Sequence, residues 1–173
     1  MEKNKLVPVI LKEYDSNWKD AFNDMKAKIL YVLPNITIEH IGSTAIEGMV
    51  AKPEIDILIG VDDINNVSGK ITILETLGFE YFPKFEEQVP ERRYLRLSKG
   101  IVPLFHIHLV EKTSVFYMNH IKFRDYLIAN PEMKDKYIAL KKMWIEKNGD
   151  DRIKYSEAKK EFILNVINQI IYK

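Results

Sequence analysis

The chain has 173 residues, 46% of them hydrophobic, which is enough for one domain, or for a core with an appended subdomain. With 26 basic and 25 acidic residues the net charge is +1, so bulk charge gives no case for nucleic acid or an anionic membrane as partner. The absence of cysteine excludes disulfides and thiolate sites, and with no signal-peptide or membrane-spanning apolar run we expect a cytoplasmic protein.

Helical and strand patterns alternate along the first two thirds of the chain. Apolar residues spaced three to four apart after Asp15-Ser16 predict an amphipathic helix that ends before Pro34. A second helix is predicted from Asp62 to Leu77. Strands are predicted at 36–41, 55–61, 79–82, 92–97 and 104–110. These elements predict an α/β core with a mixed sheet.

The last third of the chain is predicted to be helical. Helical spacing runs through 116–127 and through 131–148, where an Asn-Gly pair ends the pattern, and a final helix begins at about Asp151. We therefore divide the chain into an α/β core at 1–112 and a helical subdomain at 113–173 that packs on it. The predicted fold class is α/β, or α+β, with a small mixed sheet, flanking helices and a helical C-terminal third.

Asp56 places a charge in the middle of an otherwise apolar strand. A buried carboxylate without a partner costs several kcal/mol, so Asp56 needs a cation, a hydrogen-bonding nest or a cleft. Because side chains alternate along a strand, Glu54 and Asp56 share one face, with Cα atoms roughly 6–7 Å apart. Their carboxylates could therefore converge on one or two divalent cations. The alternative is a structural ion pair with a base such as Lys52, Arg92 or Arg96.

A glycine-serine turn ends the strand that precedes Asp56. Gly42, Ser43 and Thr44 could present backbone N–H groups and hydroxyls to a phosphate, especially if a helix follows. Such a turn is a weak signal alone, but the acidic strand follows within thirteen residues of Ser43. The pairing of turn and acids indicates a phosphate site.

Two histidines and two arginines alternate on the later strands. His106 and His108 share a face and could ligate a metal, shuttle a proton or contact a substrate, unless they are ordinary core residues. A zinc hydrolase that uses both with Asp56 is a further alternative. Arg92 and Arg96 could hold a phosphate or carboxylate, or could pair with the acidic loop that precedes their strand.

Basic pairs recur on the C-terminal helices. A solvated helix face is the ordinary place for such charges, so we expect it for Lys141-Lys142 and for Lys159-Lys160.

Five segments follow one another in a characteristic order. They are His40-Ile-Gly-Ser-Thr-Ala-Ile-Glu-Gly48, Ala51-Lys-Pro-Glu-Ile-Asp-Ile57, His106-Ile-His108, Phe123-Arg-Asp-Tyr-Leu127 and Tyr155-Ser-Glu-Ala-Lys159. In this order they resemble the GrpB family of bacterial proteins, and the resemblance covers nearly the whole chain. That family is similar to the polymerase-beta-like nucleotidyltransferase superfamily, so the resemblance implies a small mixed sheet of the nucleotidyltransferase type.

The resemblance also implies roles for the candidate residues. A magnesium-dependent nucleotidyltransferase would transfer a nucleoside monophosphate from a nucleoside triphosphate to a small-molecule or protein acceptor. Glu54 and Asp56 would bind the magnesium and take part in catalysis. His106 and His108 stand where many superfamily members carry a third acid, and either could act as base. The predicted nucleotide-binding residues are Gly42, Ser43, Thr44, Lys52, Arg92, Arg96 and Lys159.

Two other functions stay open at this point. The first is a non-catalytic nucleotide- or metabolite-binding module on the same fold, which the missing third acid favours. The second is a purely structural protein in which Asp56 pairs with a base, and it predicts no pocket around Asp56. In the leading reading the partners are a nucleotide and a small-molecule acceptor, with neither nucleic acid nor membrane expected.

Overall fold

The computed structural model describes residues 10–148 and 152–171. The predicted glycine at the end of the fourth helix and the predicted start of the last helix at Asp151 lie outside these residues. In chain order the helices and strands are α1 (Asn17–Val32), β1 (Thr37–Ile41), β2 (Ile55–Val61), α2 (Ser68–Thr76), β3 (Glu80–Tyr81), β4 (Arg92–Lys99), β5 (Val102–Glu111), α3 (Val115–Ala129), α4 (Pro131–Asn148) and α5 (Arg152–Ile171). No helix in the described ranges has the length and apolar character needed to cross a bilayer.

The strands form one mixed sheet in the order β1-β2-β5-β4-β3. Strand β2 pairs antiparallel with β1 and parallel with β5, and the remaining pairs are antiparallel. The α+β class with a mixed sheet is therefore as predicted. The register places Asp56 of β2 between Ile41 of β1 and His106 of β5, so the candidate acid and the first candidate histidine are neighbours.

One face of the sheet packs on α1 and α2. The inward residues of β2 alternate, as the sequence pattern predicted, and Ile57 and Ile59 are fully buried there beside Ile107 and Leu109 of β5. From α1, Phe22, Met25 and Ile29 cover this face. The apolar side of β2 therefore packs in the core. Because side chains alternate along a strand, Asp56 points to the opposite face of the sheet.

The opposite face carries the C-terminal helices. Helix α3 lies on Ile41, Leu58 and Val110. Helices α4 and α5 join α3 in a second cluster, in which the ring of Tyr137 stacks on that of Phe162 at 4.7 Å. This cluster also buries Ile46 and Met49, which follow β1. The helical third therefore closes over the segment that contains the glycine-serine turn.

Two local predictions were wrong in detail. The predicted helix from Asp62 to Leu77 is a short 3₁₀ turn at Ile64–Asn66 followed by α2, because the Asp63 side chain accepts from Asn65 N and caps the short turn. The predicted strand at 79–82 is only Glu80–Tyr81. The start of α1 after Asp15-Ser16 is as predicted, and there Asp15 Oδ1 accepts a hydrogen bond from Asn17 N at 3.0 Å.

Candidate functional site

A cavity of about 160 Å³ lies where β1 and β2 meet the C-terminal helices. Its lining residues are Ser43, Thr44, Ala51, Lys52, Glu54, Asp56, His106, Lys141, Tyr155 and Lys159. Seven of the predicted site residues therefore line one cavity. One of them, Lys159 of α5, is far from the other six in sequence. The purely structural reading predicted no pocket around Asp56, and that prediction is wrong. Pockets for whole small-molecule ligands usually measure roughly 300–1,000 Å³, so this cavity suits a small polar group such as a phosphate.

The turn after β1 is built against Asp56. Gly42 has φ 72° and ψ −172°, a backbone conformation that is essentially restricted to glycine. A Cβ on Gly42 would overlap Oδ2 of Asp56. Ser43 and Thr44 line the cavity, where the Thr44 hydroxyl contacts His40 Nε2 at 3.0 Å. The helical turn that follows is a single 3₁₀ turn, Ser43–Ala45.

Asp56 accepts hydrogen bonds from both strand histidines. His106 Nδ1 lies 3.3 Å and His108 Nε2 lies 3.5 Å from the same oxygen, Asp56 Oδ1. Burial acts to raise the pKa of Asp56, but the two histidine hydrogen bonds outweigh burial and hold the pKa well below its usual range. The carboxylate is therefore ionised at neutral pH while its side chain stays 29% exposed.

His108 connects Asp56 to an arginine. Arg92 Nη1 lies 3.4 Å from His108 Nδ1, and a guanidinium can only donate. His108 Nδ1 is therefore the acceptor, which places the ring proton on Nε2, facing Asp56. Burial lowers the pKa of His108 despite Asp56, so the imidazole is neutral at neutral pH. His108 does not line the cavity.

His106 lies between the two carboxylates. Besides its contact with Asp56, its Nε2 lies 4.0 Å from Glu54 Oε2. That same oxygen of Glu54 accepts from Lys52 Nζ at 2.8 Å. Glu54 and Asp56 therefore both line the cavity, as neighbours on one side of the chain, with the imidazole of His106 between them.

Lys141 enters the cavity from α4, and the prediction of a solvated face for this lysine is wrong. It is 1% exposed, and its Nζ donates to Ser43 Oγ and Val50 O, each at 2.6 Å. Burial and, to a lesser degree, Lys159 lower the pKa of Lys141 to about 6 despite Asp56. A signal was present in the sequence, because Lys141 follows Tyr137 by four residues on the buried stripe of its helix.

Tyr155 and Lys159 reach the cavity from successive turns of α5. Tyr155 is buried, and burial raises its pKa to about 12. Burial also lowers the pKa of Lys159, which Asp56 partly offsets. Lys160 is exposed, so the basic pair is split between the cavity and solvent. Tyr155 was missed as a site residue although it opens the last of the five recognised segments.

Arg92 and Arg96 lie on β4, outside the lining of the cavity. The alternative that they pair with the loop before β4 is wrong. Arg93, on the other face of the strand, makes the ion pair with Glu86 at 3.2 Å. In the register Arg96 stands opposite His106, so the arginines share the sheet face of Asp56.

Magnesium and zinc place different demands on the residues of this cavity. Within residues 10–148 and 152–171 no group of three or more His, Asp and Glu side chains is arranged to hold a metal, which leaves the zinc reading unsupported. Two carboxylates on one side of β2 nevertheless suit an oxygen-preferring ion whose other ligands are phosphate oxygens. Both histidine contacts of Asp56 go to Oδ1, and Oδ2 faces Gly42. Glu54 and Asp56 would therefore be the residues to hold magnesium, and they supply only part of its ligands.

The fold is of the nucleotidyltransferase type. The Cid1 poly(U) polymerase bound to MgGTP matches with a TM-score of 0.55 at 14% identity, covering 79% of this chain and 44% of that chain. Terminal uridylyl transferase 4 from Trypanosoma brucei with bound CTP matches with a TM-score of 0.53 at 16% identity, covering 93% and 52%. At these identities the likeness shows the fold alone, and this chain spans about half of those proteins.

Closer relatives define the family. The family profile described as "GrpB protein" matches residues 8–169. Glutamate-rich protein GrpB of Alkalihalophilus pseudofirmus is 31% identical and covers 94% of this chain and 95% of its own length. UPF0157 protein YqkA of Bacillus subtilis is 36% identical over 91% of this chain, but this chain spans only 45% of YqkA. The crystal structure of GrpB from Enterococcus faecalis has a TM-score of 0.76 at 31% identity, covering 91% and 99%. The chain therefore belongs to the GrpB family.

Proposed function

We propose that this protein binds the phosphates of a nucleoside triphosphate in the cavity and transfers the nucleoside monophosphate to an acceptor. The observation that carries the proposal is the composition of the cavity, in which the Ser43 turn, the acids Glu54 and Asp56, and three lysines meet. A nucleotidyltransferase-type fold is the context in which these groups do this chemistry. Because the cavity is small, the nucleoside lies outside it.

The lysines favour an anion as the occupant. Lys52 is paired with Glu54, but in the described part of the chain neither Lys141 nor Lys159 forms an ion pair with a carboxylate. Both are desolvated, and burial lowers the pKa of each. Phosphate oxygens next to these amines would restore their charge and accept their hydrogen bonds. The arrangement is therefore better suited to a polyphosphate than to a neutral ligand.

The proposed transfer is an in-line displacement at the α-phosphorus. An acceptor hydroxyl or amine attacks, a bond from its oxygen or nitrogen to phosphorus forms, and the bond from phosphorus to the bridging oxygen breaks. Pyrophosphate leaves with that electron pair, and the acceptor proton passes to His106, the histidine in the cavity lining. Magnesium held by Glu54 and Asp56 would neutralise phosphate charge. Lys141 and Lys159 bind the departing pyrophosphate.

Replacing Lys159 with methionine tests the phosphate site. We expect roughly tenfold weaker binding of the preferred nucleotide, because one charge-assisted hydrogen bond to phosphate is lost. Calorimetry with ATP, GTP, CTP and UTP in the presence of magnesium measures this. Lys160→Met, which changes the exposed neighbour on the same helix, is the matched control and should bind as wild type does. No binding of any of the four nucleotides by wild type would refute the proposal.

A non-catalytic nucleotide-binding module is the second candidate. It is favoured because His106 and His108 stand where many superfamily members carry a third acid. Both histidines instead contact the carboxylate oxygen Asp56 Oδ1. In that case nucleotide binding would persist without magnesium. Pyrophosphate release in the presence of any acceptor would eliminate this candidate.

Nucleotide binding should be coupled to proton uptake. With a pKa of about 6, Lys141 is neutral in the ligand-free protein at mildly alkaline pH. Phosphate next to it raises that pKa, so the complex holds more protons, and affinity weakens as pH rises above about 6. Titrations in two buffers of different ionisation enthalpy measure the uptake. Lys141→Met should remove its share of the uptake, and an unchanged proton count in that variant would contradict the assignment.

A further inference from the structure

Two guanidinium nitrogens on β4 lack acceptors. In the described part of the chain, the buried side-chain nitrogen and oxygen atoms without a hydrogen-bond partner are Arg92 Nε and Arg96 Nε, and there are no others. Native proteins satisfy nearly all buried polar groups, and each exception calls for an explanation. Both exceptions lie on one face of one strand, two residues either side of Tyr94.

Aromatic rings hold these two side chains in place without neutralising them. Arg92 Cζ lies 5.2 Å from the ring centre of Tyr94 and 5.7 Å from that of Phe116. Arg96 Cζ lies 4.6 Å from the ring centre of Phe82. No carboxylate among the described residues lies within 4.0 Å of either guanidinium. The rings therefore hold two positive charges on this face of the sheet without a carboxylate partner among the described residues.

Arg93 on the same strand differs from Arg92 and Arg96 because its guanidinium has an acidic partner. Its side chain points to the opposite face, where it pairs with Glu86 at 3.2 Å and donates to Pro90 O at 2.8 Å. The loop before β4 thus supplies acceptors for one arginine and leaves Arg92 and Arg96 without one. The two Nε atoms are buried, but Arg92 and Arg96 are each partly exposed as whole residues, so a ligand above the sheet can approach their side chains.

The position of the arginines separates them from the lysine cavity. Strand β4 is two strands from β2, roughly 10 Å from Asp56, with His106 and His108 on the intervening strand. The lysines lie on the side of Asp56 where the turn and the C-terminal helices meet. The acid and the histidines therefore lie between two groups of cations.

We propose that Arg92 and Arg96 bind an oxyanion of the acceptor, so that the acceptor is an anionic small molecule with a carboxylate or phosphate group. This inference rests on the proposed function, because it assigns the second substrate of the same transfer. In-line displacement requires the acceptor to approach opposite the departing pyrophosphate. An acceptor held on β4 meets that requirement, with His106 beside its nucleophilic atom.

Arg96→Met tests the inference with inorganic phosphate and citrate as separate probes. Calorimetric titrations should show wild type binding at least one probe, and Arg96→Met should bind it roughly tenfold more weakly. Phosphate binding would indicate a phosphorylated acceptor, and citrate binding a carboxylate one. Arg93→Met is the matched control and should bind like wild type. Arg96→Lys keeps the charge and the stem, and should lose a few-fold even if Arg96→Met folds poorly.

Two comparisons separate this inference from the proposed function. The probe binding that depends on Arg96 should persist in Lys159→Met, whose cavity is weakened, and ATP affinity should be unchanged in Arg96→Met. Equal probe affinity in wild type, Arg96→Met and Arg96→Lys would overturn the anion site. Loss of ATP affinity in Arg96→Met as large as in Lys159→Met would assign the arginines to the nucleotide and overturn it too. Failure of all four nucleotides to bind while probe binding still depends on Arg96 would refute the nucleotidyl transfer and support the anion site.

Discussion

Asp56→Asn should lower the proposed nucleotidyl transfer by roughly a thousandfold, because it removes one of the two carboxylates proposed to hold magnesium and with it several kcal/mol of transition-state stabilisation. Asparagine has the same shape and keeps one oxygen that can accept from His106 or His108. It cannot supply the negative charge that those hydrogen bonds stabilise in Asp56. The effect should therefore fall on turnover much more than on folding.

Pyrophosphate release and thermal unfolding measure the two parts of this prediction. Asp62→Asn is the matched control, since Asp62 follows the same strand but is exposed and pairs with Lys112 at 3.0 Å. That variant should retain wild-type turnover. If Asp56→Asn released pyrophosphate at the wild-type rate, the carboxylate would have no part in the reaction. A large fall in the unfolding midpoint instead would assign Asp56 to structure.

Gly42→Ala should abolish nucleotide binding and destabilise the protein by about 1–3 kcal/mol. The backbone at Gly42 has φ 72° and ψ −172°, which an alanine adopts only with strain. The added Cβ would also overlap Asp56 Oδ2, so either the turn or the carboxylate must move. Movement of the turn would displace Ser43 from Lys141, and movement of the carboxylate would disturb its contacts with His106 and His108, so either change disrupts the proposed phosphate site.

Gly100→Ala separates backbone strain from the local clash. Gly100 also has a positive φ, 61°, but a Cβ there would meet nothing within 4 Å. We expect this variant to lose about 1 kcal/mol of stability and to bind nucleotide as wild type does. Calorimetry and chemical denaturation of both variants provide the comparison. Equal nucleotide binding by Gly42→Ala and Gly100→Ala would mean that the contact with Asp56 is unimportant.

The two variants probe one contact from opposite sides. Asp56 is ionised because two histidines donate to one of its oxygens, and its other oxygen faces a glycine. Asp56→Asn removes the negative charge of the side chain but leaves the space beside Gly42 unchanged. Gly42→Ala keeps the carboxylate charge but fills the space beside Asp56 Oδ2. If both variants lose nucleotidyl transfer and only Gly42→Ala loses stability, the site depends on Asp56 Oδ2 remaining accessible. That oxygen is accessible because Gly42 has no Cβ to cover it.

Local pattern was sufficient for the strand that carries the acid. The alternation from Ile55 to Val61 predicted the bounds of β2 and the face of Asp56, because a period of two residues leaves no other choice once one face is apolar. The pairing of Glu54 with Asp56 and of His106 with His108 follows from the same geometry. The turn at Gly42 was also recognisable, since few residue types tolerate its backbone.

The sequence by itself thus determined the mixed sheet, the acid pair and the family, because these depend on local periodicity and on ordered motifs. Only the tertiary structure decided that Lys141, 98 residues after Ser43, is buried against that serine. It also decided that Arg93 forms an ion pair with Glu86, whereas the Nε atoms of Arg92 and Arg96 have no hydrogen-bond acceptor among the described residues. A charged residue in a helix or strand pattern does not indicate which part of the chain packs against it. Long-range packing decides whether that charge is solvated, paired with an acid or left without a partner.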